Sequence, residues 1–206
     1  MQISVDTSNQ IRVCRVLCIF FLMYVHVYPG FGPFEAQLTE PLISIKLFVI
    51  DLLGRASVPA LTLISGYLMV HGLERHTVLQ ITRNRLVTIV LPMITWNLVA
   101  ILLCYLIYKG IGHELDLYKD LQGRSLLSVI ASKVLALDNH GATEALNFLR
   151  DLFICGLFIK PLVWGAKRGG WLFVALIWVF GICFGFEPVA YRDTIPMFFA
   201  LGAFIA

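Results

Sequence analysis

Charge is scarce in this 206-residue chain. Only 14% of its residues are Asp, Glu, Lys or Arg and 59% are hydrophobic, against roughly 25% charge in an ordinary soluble domain. With a mean hydropathy of +0.83, the shortage excludes a soluble globular domain and reads as an integral membrane protein. Blocks of like charge are also missing. The 16 basic and 13 acidic residues give a net charge of +3 and are scattered, so no nucleic-acid footprint is present. The five cysteines (Cys14, Cys18, Cys104, Cys155, Cys183) lie in apolar runs without C-x-x-C spacing, so neither a disulfide framework nor a zinc site is expected. Cys14 and Cys18 share a helix face and read as packing. His113-Glu114-Leu115-Asp116 lacks the H-E-x-x-H spacing of two ligands on one helix face, so it and His140 read as solvated loop, with no metal expected. A secretory signal is not expected either: Pro29-Gly30-Phe31-Gly32-Pro33 follows the first apolar run with no small-x-small cleavage pattern. With no internal repeat, linker or low-complexity tract, residues 1–206 read as a single domain.

What is present is a series of membrane-length apolar runs, at 12–28, 42–72, 86–108, 145–164 and 171–186, with a sixth opening near Thr194 and cut off at Ala206. They predict an all-α, polytopic transmembrane bundle of about five to six spans. The second run is too long for one ordinary crossing, and Gly54 and Pro59 interrupt it, which predicts a kinked or broken helix. Ser125 to Leu137 has apolar residues at helical spacing and is expected to lie on the membrane surface.

The first run carries the most informative pair. Arg15 and His26 are eleven steps apart, about three turns plus 20°, so they share one helix face roughly 16 Å apart along its axis. Ionisable groups are costly in hydrocarbon and belong in a protein interior or a wet cavity, which makes this face the leading candidate site.

Basic residues cluster before the first run (Arg12, Arg15), between the second and third (Arg75, Arg83, Arg85) and after the fourth (Lys167, Arg168), whereas loop 29–41 has Glu35 and Glu40 but no Lys or Arg. The positive-inside rule then puts the amino terminus in the cytoplasm. That orientation brings His26, Asp51 with Arg55, and Asn147 with Arg150 and Asp151 to one outer layer, and Arg15 to the inner side. Asp51 and Arg55, at i, i+4, are spaced to neutralise one another. Arg83 and Arg85 read both as topology signals and as a phosphate clamp, since the planar guanidinium fork suits phosphate oxygens.

At these residues the sequence resembles the membrane-bound acyltransferase three family, multi-span enzymes that O-acylate bacterial surface sugars. The arginine, ten residues and histidine of its first helix match Arg15 and His26. Phe48 to Met69, with Ser65-Gly66-Tyr67, resembles the second-helix region. Thr82 to Pro92 is similar to the basic segment before a proline-bearing third helix, although Arg83-Asn84-Arg85 is closer-spaced than the Arg-x-x-Arg often seen. Asn147 to Leu162 resembles the Phe-Leu-Arg segment, and Ile195 to Ala206 a later helix. Family members usually carry roughly ten helices of about 20 residues, so the chain resembles the amino-terminal half of such an enzyme.

The resemblance implies a multi-pass protein of the bacterial cytoplasmic membrane. Its implied reaction moves an acyl group, most often acetyl, from cytoplasmic acyl-CoA to a hydroxyl of an outward-facing glycan or lipid-linked sugar. In that chemistry Arg15, Arg83 and Arg85 would hold the donor's phosphates. His26 would be general base or acyl-carrying nucleophile, and Arg150 would stabilise the oxyanion. The competing readings are a transporter fragment, in which Arg15, His26 and Asp51 form a polar pathway, and an inactive relic.

Overall fold

A computed structural model describes residues 4–27, 48–112, 119, 123–137, 141–143, 146–187 and 190–206, with the side chains at 24–27, 49–51 and 126 outside the description. Loop 29–41, His113, Glu114, Asp116 and His140 lie outside the described residues, as do the side chains of His26 and Asp51. All regular structure among the described residues is helical. Helix α1 runs over Val5–Val27, α2 over Arg55–Leu73, α3 over Val78–Arg85 and α4 over Leu91–Ile111. Then come α5 (Leu126–Val129), α6 (Asn147–Leu157), α7 (Ile159–Cys183) and α8 (Thr194–Ile205).

Three described stretches are long and apolar enough to cross a membrane by length and composition alone, Leu52–Leu73, Val78–Ile111 and Ile159–Cys183, although the last is bent at Gly170. The 23 residues of α1 would also cover a hydrocarbon core of about 30 Å. The bundle is the all-α membrane architecture expected from the runs. Its lipid-compatible exterior is plain on α4, where Leu91, Trp96, Leu98, Leu102 and Leu103 are exposed.

The interruptions in the sequence become specific local structures. Before α2 the chain makes a π-helical turn, Phe48–Gly54, and Pro59 is then accommodated inside the helix. The hydroxyls of Ser57 and Thr62 donate back to Leu53 O and Val58 O, both at 2.7 Å, the usual recourse of such residues in apolar helices. A second π-helical turn, Leu86–Val90, precedes Pro92 at the start of α4. Thr77 begins α3 with a reciprocal cap: its hydroxyl accepts from Gln80 N at 3.4 Å, and Gln80 Oε1 accepts from Thr77 N at 3.0 Å.

The expected fourth span is divided. Helix α6 ends at Leu157, and α7 is bent by Gly170, whose backbone (φ 53°, ψ −138°) is open chiefly to glycine. The chain reverses there. The ring of Phe173 lies against Gly165, where an added Cβ would sit 2.4 Å from it, although eight residues of straight helix would separate the two by about 12 Å. The returning limb runs antiparallel to α8, pairing Trp171 with Phe204 (ring centroids 4.5 Å apart) and Trp178 with Phe198 (5.1 Å).

Helix α8 packs most closely on α2. Apolar side chains gain little from leaving lipid for protein, so close association in a bilayer favours small residues that let backbones touch. Gly66 and Gly202 do this here: an added Cβ would lie 2.3 Å from Phe199 O and 2.0 Å from Leu63 O, respectively. Around this contact Val58, Met69, Leu152, Ile195, Phe199 and Ala203 belong to one buried core.

The segment after α4 departs from expectation. It does not lie on the surface as a unit: Ser132, Lys133, Val134 and Ala136 are buried. The cause is polar. Its carbonyls are claimed by side chains from three other parts of the chain, and a buried carbonyl without a partner is costly.

Candidate functional site

The face of α1 that carries Arg15 borders a cavity at each end. Near the amino-terminal end, Ser8, Ile11, Arg12, Arg15 and Ile19 face Leu68 of α2 around about 380 Å³. Seven residues beyond Arg15, Leu22 borders a second cavity of about 360 Å³ with Gly54, Arg55, Val58, Pro59, Arg192 and Thr194. Arg15 thus lies at the level of Leu68 and Leu22 at that of Val58, so α1 and α2 run antiparallel. Position 26 is one turn past Leu22, offset by about 40° on the same stripe and roughly 6 Å along the axis.

At the Arg15 end a second arginine enters the bundle. Arg85, in the last turn of α3, packs against Gly156, which Met69 also approaches. An added Cβ on Gly156 would lie 3.4 Å from Arg85 Nη1 and 3.2 Å from Met69 Cε. Nη1 is buried and makes no hydrogen bond among the described residues. Arg15 is close enough for the two positive charges to act on one another. A buried guanidinium N–H without a partner among the described residues, beside a second cation, has the chemistry to take an anion, and phosphate suits the fork. Arg83 does not join them: it is exposed. Two residues along a helix is about 200° of rotation, which puts the pair on opposite faces.

At the other end stands a buried polar clasp. Arg150 and Asp151 are 5% and 0% exposed. Arg150 Nε and Nη2 donate to Asp151 Oδ1 at 3.0 and 2.5 Å, and Nη1 donates to the carbonyl of Ala136. That carbonyl is turned inward by a left-handed backbone at Ala136 (φ 52°), a conformation that costs a non-glycine residue about 1–3 kcal/mol. Asp151 Oδ2 accepts from the backbone N–H of Arg192 at 3.1 Å. Tyr191 covers the guanidinium, its ring centroid 3.8 Å from Arg150 Cζ, and its hydroxyl donates to Leu137 O at 2.9 Å. The pair therefore ties residues 136–137 and 191–192 to α6. Among the described residues Arg150 keeps one uncommitted N–H on each of Nη1 and Nη2.

Two asparagines extend the clasp. Asn97, 1% exposed on α4, donates through Nδ2 to Val134 O at 3.0 Å and accepts at Oδ1 from Thr143 N at 3.1 Å. Asn147 Oδ1 accepts from Gly141 N at 3.1 Å. These contacts hold the segment after α5 inside the bundle.

The structure thus brings Arg15 and Arg85 together at one end and places Arg150 with Asp151 and Arg55 at the other. Arg83 is left at the surface, and the His26 and Asp51 side chains lie outside the description. Asn97, Tyr191 and Arg192 are missed by the reading of the sequence. Asn97 had a visible signal as a lone amide in an apolar run. Tyr191 and Arg192 had none, since they read as a connection between spans.

Comparison with known proteins bears on the same residues. Succinoglycan biosynthesis protein ExoH of Rhizobium meliloti (strain 1021) is 28% identical over 164 residues, which make up 77% of this chain and 42% of that protein. The chain therefore spans less than half the length of this curated relative. No solved structure matches it. The profile of the acyltransferase three family, described as an acyltransferase domain, matches residues 8–206. That range includes both cavities, the arginines around them and the buried clasp, and the chain belongs to the acyltransferase three family.

Proposed function

We propose that this chain forms the donor-binding and proton-transfer part of an integral-membrane O-acyltransferase. It moves an acyl group, acetyl in the simplest case, from acyl-CoA to a hydroxyl of a glycan or lipid-linked sugar on the opposite side of the membrane. The observation that carries the reading is the single face of α1 with a cavity at each end, Arg15 at one and the turn before His26 at the other. The relative's name, a succinoglycan biosynthesis protein, supports a polysaccharide acceptor. The basic residues at the Arg15 end support a cytoplasmic amino terminus in the inner membrane of a bacterium, with residues 1–206 acting as one domain.

In this mechanism Arg15 and Arg85 bind the phosphates of acyl-CoA, with Arg83 at the mouth as an outer contact. The pantetheine arm spans the roughly 16 Å from Arg15 towards His26. The His26 imidazole takes the proton of the acceptor hydroxyl, whose oxygen attacks the thioester carbonyl. The tetrahedral oxyanion is stabilised by the two remaining N–H groups of Arg150. Its collapse breaks the C–S bond, and the CoA thiolate takes the proton back from the imidazolium, leaving an O-acyl ester and free CoA.

Isothermal titration of the purified chain with acetyl-CoA tests the donor site. A hydrogen bond to a charged group contributes about 1.5–3 kcal/mol, so Arg15→Gln and Arg85→Gln are each expected to raise Kd about tenfold or more. Arg83→Gln, at an exposed position, is expected to change Kd less than threefold. Unchanged affinity in an Arg15→Gln, Arg85→Gln double variant returns these residues to a purely topological role and favours a polar transport pathway instead.

A further inference from the structure

The cavity at the Arg15 end holds a cation that the reaction as described leaves unused. Of the residues around its roughly 380 Å³, Ser8, Arg12 and Arg15 are polar, and the rest are apolar residues of α1 with Leu68 of α2 opposite. Positions 8, 12 and 15 are successive turns of one helix stripe. Arg12 lies about 60° round the helix from Arg15 and about 4.5 Å nearer the amino-terminal end. No residue lining the cavity is acidic. Asp6, the one acidic residue of α1, is about 120° round the helix from Arg12 and is not part of the wall. Both arginines are exposed, so the cavity is open to a ligand arriving from water. Retaining a terminus in the cytoplasm requires only that Arg12 stand at that end of the helix. It does not require that Arg12 share a cavity with Arg15.

We propose that Arg12 recognises the 3′-phosphate of the CoA donor, an inference that rests on the acyl-CoA reading above. CoA carries a pyrophosphate, which joins the pantetheine arm to the adenosine, and a separate phosphate monoester on the ribose. In the mechanism above Arg15 and Arg85 take the pyrophosphate, and the arm runs from there along α1 towards His26. The adenosine and its 3′-phosphate then lie on the other side of the pyrophosphate, towards the amino-terminal end of α1. Arg12 is the cation of the cavity on that side. A phosphate monoester carries about −1.5 to −2 charge at pH 7, and the guanidinium fork matches its oxygens in pairs. The cavity volume lies within the range of small-ligand sites. Arg12 is thereby a specificity-determining residue: it separates CoA from 3′-dephospho-CoA, which has the same arm, thiol and pyrophosphate. Arg15 and Arg85 treat the two ligands alike.

The test is isothermal titration of the purified whole chain with CoA and, separately, with 3′-dephospho-CoA. The wild type is expected to bind CoA about tenfold or more tightly than the dephospho form. Arg12→Gln should lower CoA affinity to the dephospho-CoA level while leaving dephospho-CoA affinity within about twofold, which also reports that the variant is folded. Arg12→Lys should keep part of the preference, because the charge remains and the fork is lost. Arg15→Gln should weaken both ligands and leave their ratio unchanged. Lys160→Gln removes a positive charge from a separate cavity that Arg75 and His76 also line, and should leave the preference intact. Equal binding of the two ligands by the wild type overturns the inference while the donor reading stands. A preference that survives Arg12→Gln overturns the assignment to Arg12. An equal loss of preference in Lys160→Gln overturns the local contact, because overall charge would then account for it. Binding of neither ligand by the wild type defeats the donor reading, and the inference falls with it.

Discussion

Asp151→Ala is expected to be among the most destabilising single substitutions in this chain. The carboxylate is fully buried, and its two oxygens serve three donors: Arg150 Nε, Arg150 Nη2 and the backbone N–H of Arg192. Removing it leaves the Arg150 cation buried under the Tyr191 ring with Ala136 O as its remaining hydrogen-bond acceptor among the described residues. Breaking a buried pair from one side costs about 3–5 kcal/mol, because an uncompensated charge is left behind. For a chain of this size that corresponds to a fall in Tm of about 10 °C, measurable by thermal unfolding in detergent. Asp151→Asn keeps the shape and one acceptor oxygen and should fall between the wild type and the alanine variant. If Asp151→Ala unfolds within about 2 °C of the wild type, the pair is not what holds residues 136–137 and 191–192 to α6.

Gly202→Ala should damage the fold by another route. Its Cβ would be 2.0 Å from Leu63 O and 2.8 Å from Leu63 C. The obstacle is backbone, so no side-chain rotation relieves it, and α2 and α8 must separate. Overpacking of this kind commonly costs about 1–3 kcal/mol, and occasionally more; the rigid partner places this substitution at the upper end. Gly66→Ala, from the facing helix, meets Phe199 O at 2.3 Å and should behave similarly. Gly110→Ala is the control, because nothing lies within 4 Å of its added Cβ. Equal thermal stability of Gly202→Ala and Gly110→Ala would contradict the close α2–α8 approach.

The sequence made some of this arrangement readable because charge in a membrane is rare enough to be informative. Arg55, Arg150 and Asp151 fall at one end of the bundle and Arg15 and Arg85 at the other, as depth along the apolar runs predicts. The chain bends back at Gly170, within the glycine-rich stretch 165–170. Partners were much harder to read. In a soluble protein the apolar stripe of a helix marks its inner face, but in a bilayer the lipid-facing side is apolar as well. Periodicity therefore could not show that Ser132 to Ala136 turns inward, or that Arg150 donates to the backbone carbonyl of Ala136. Asn97 illustrates the one local signal that remains, since an amide within a lipid-length run must face a partner. Arg83 and Arg85 illustrate a distinction that spacing does contain: at about 200° apart, only one of them could enter the bundle.

Label transfer from radiolabelled acetyl-CoA by membranes containing this chain, with a His26→Ala control, tests the central claim most directly. The account predicts that acetyl label moves to an acceptor hydroxyl and that His26→Ala lowers the rate by roughly 100-fold or more, while membrane expression and acetyl-CoA affinity are unchanged. Transfer that persists at the wild-type rate in His26→Ala would contradict the account, because the α1 face would then carry the donor but not the chemistry.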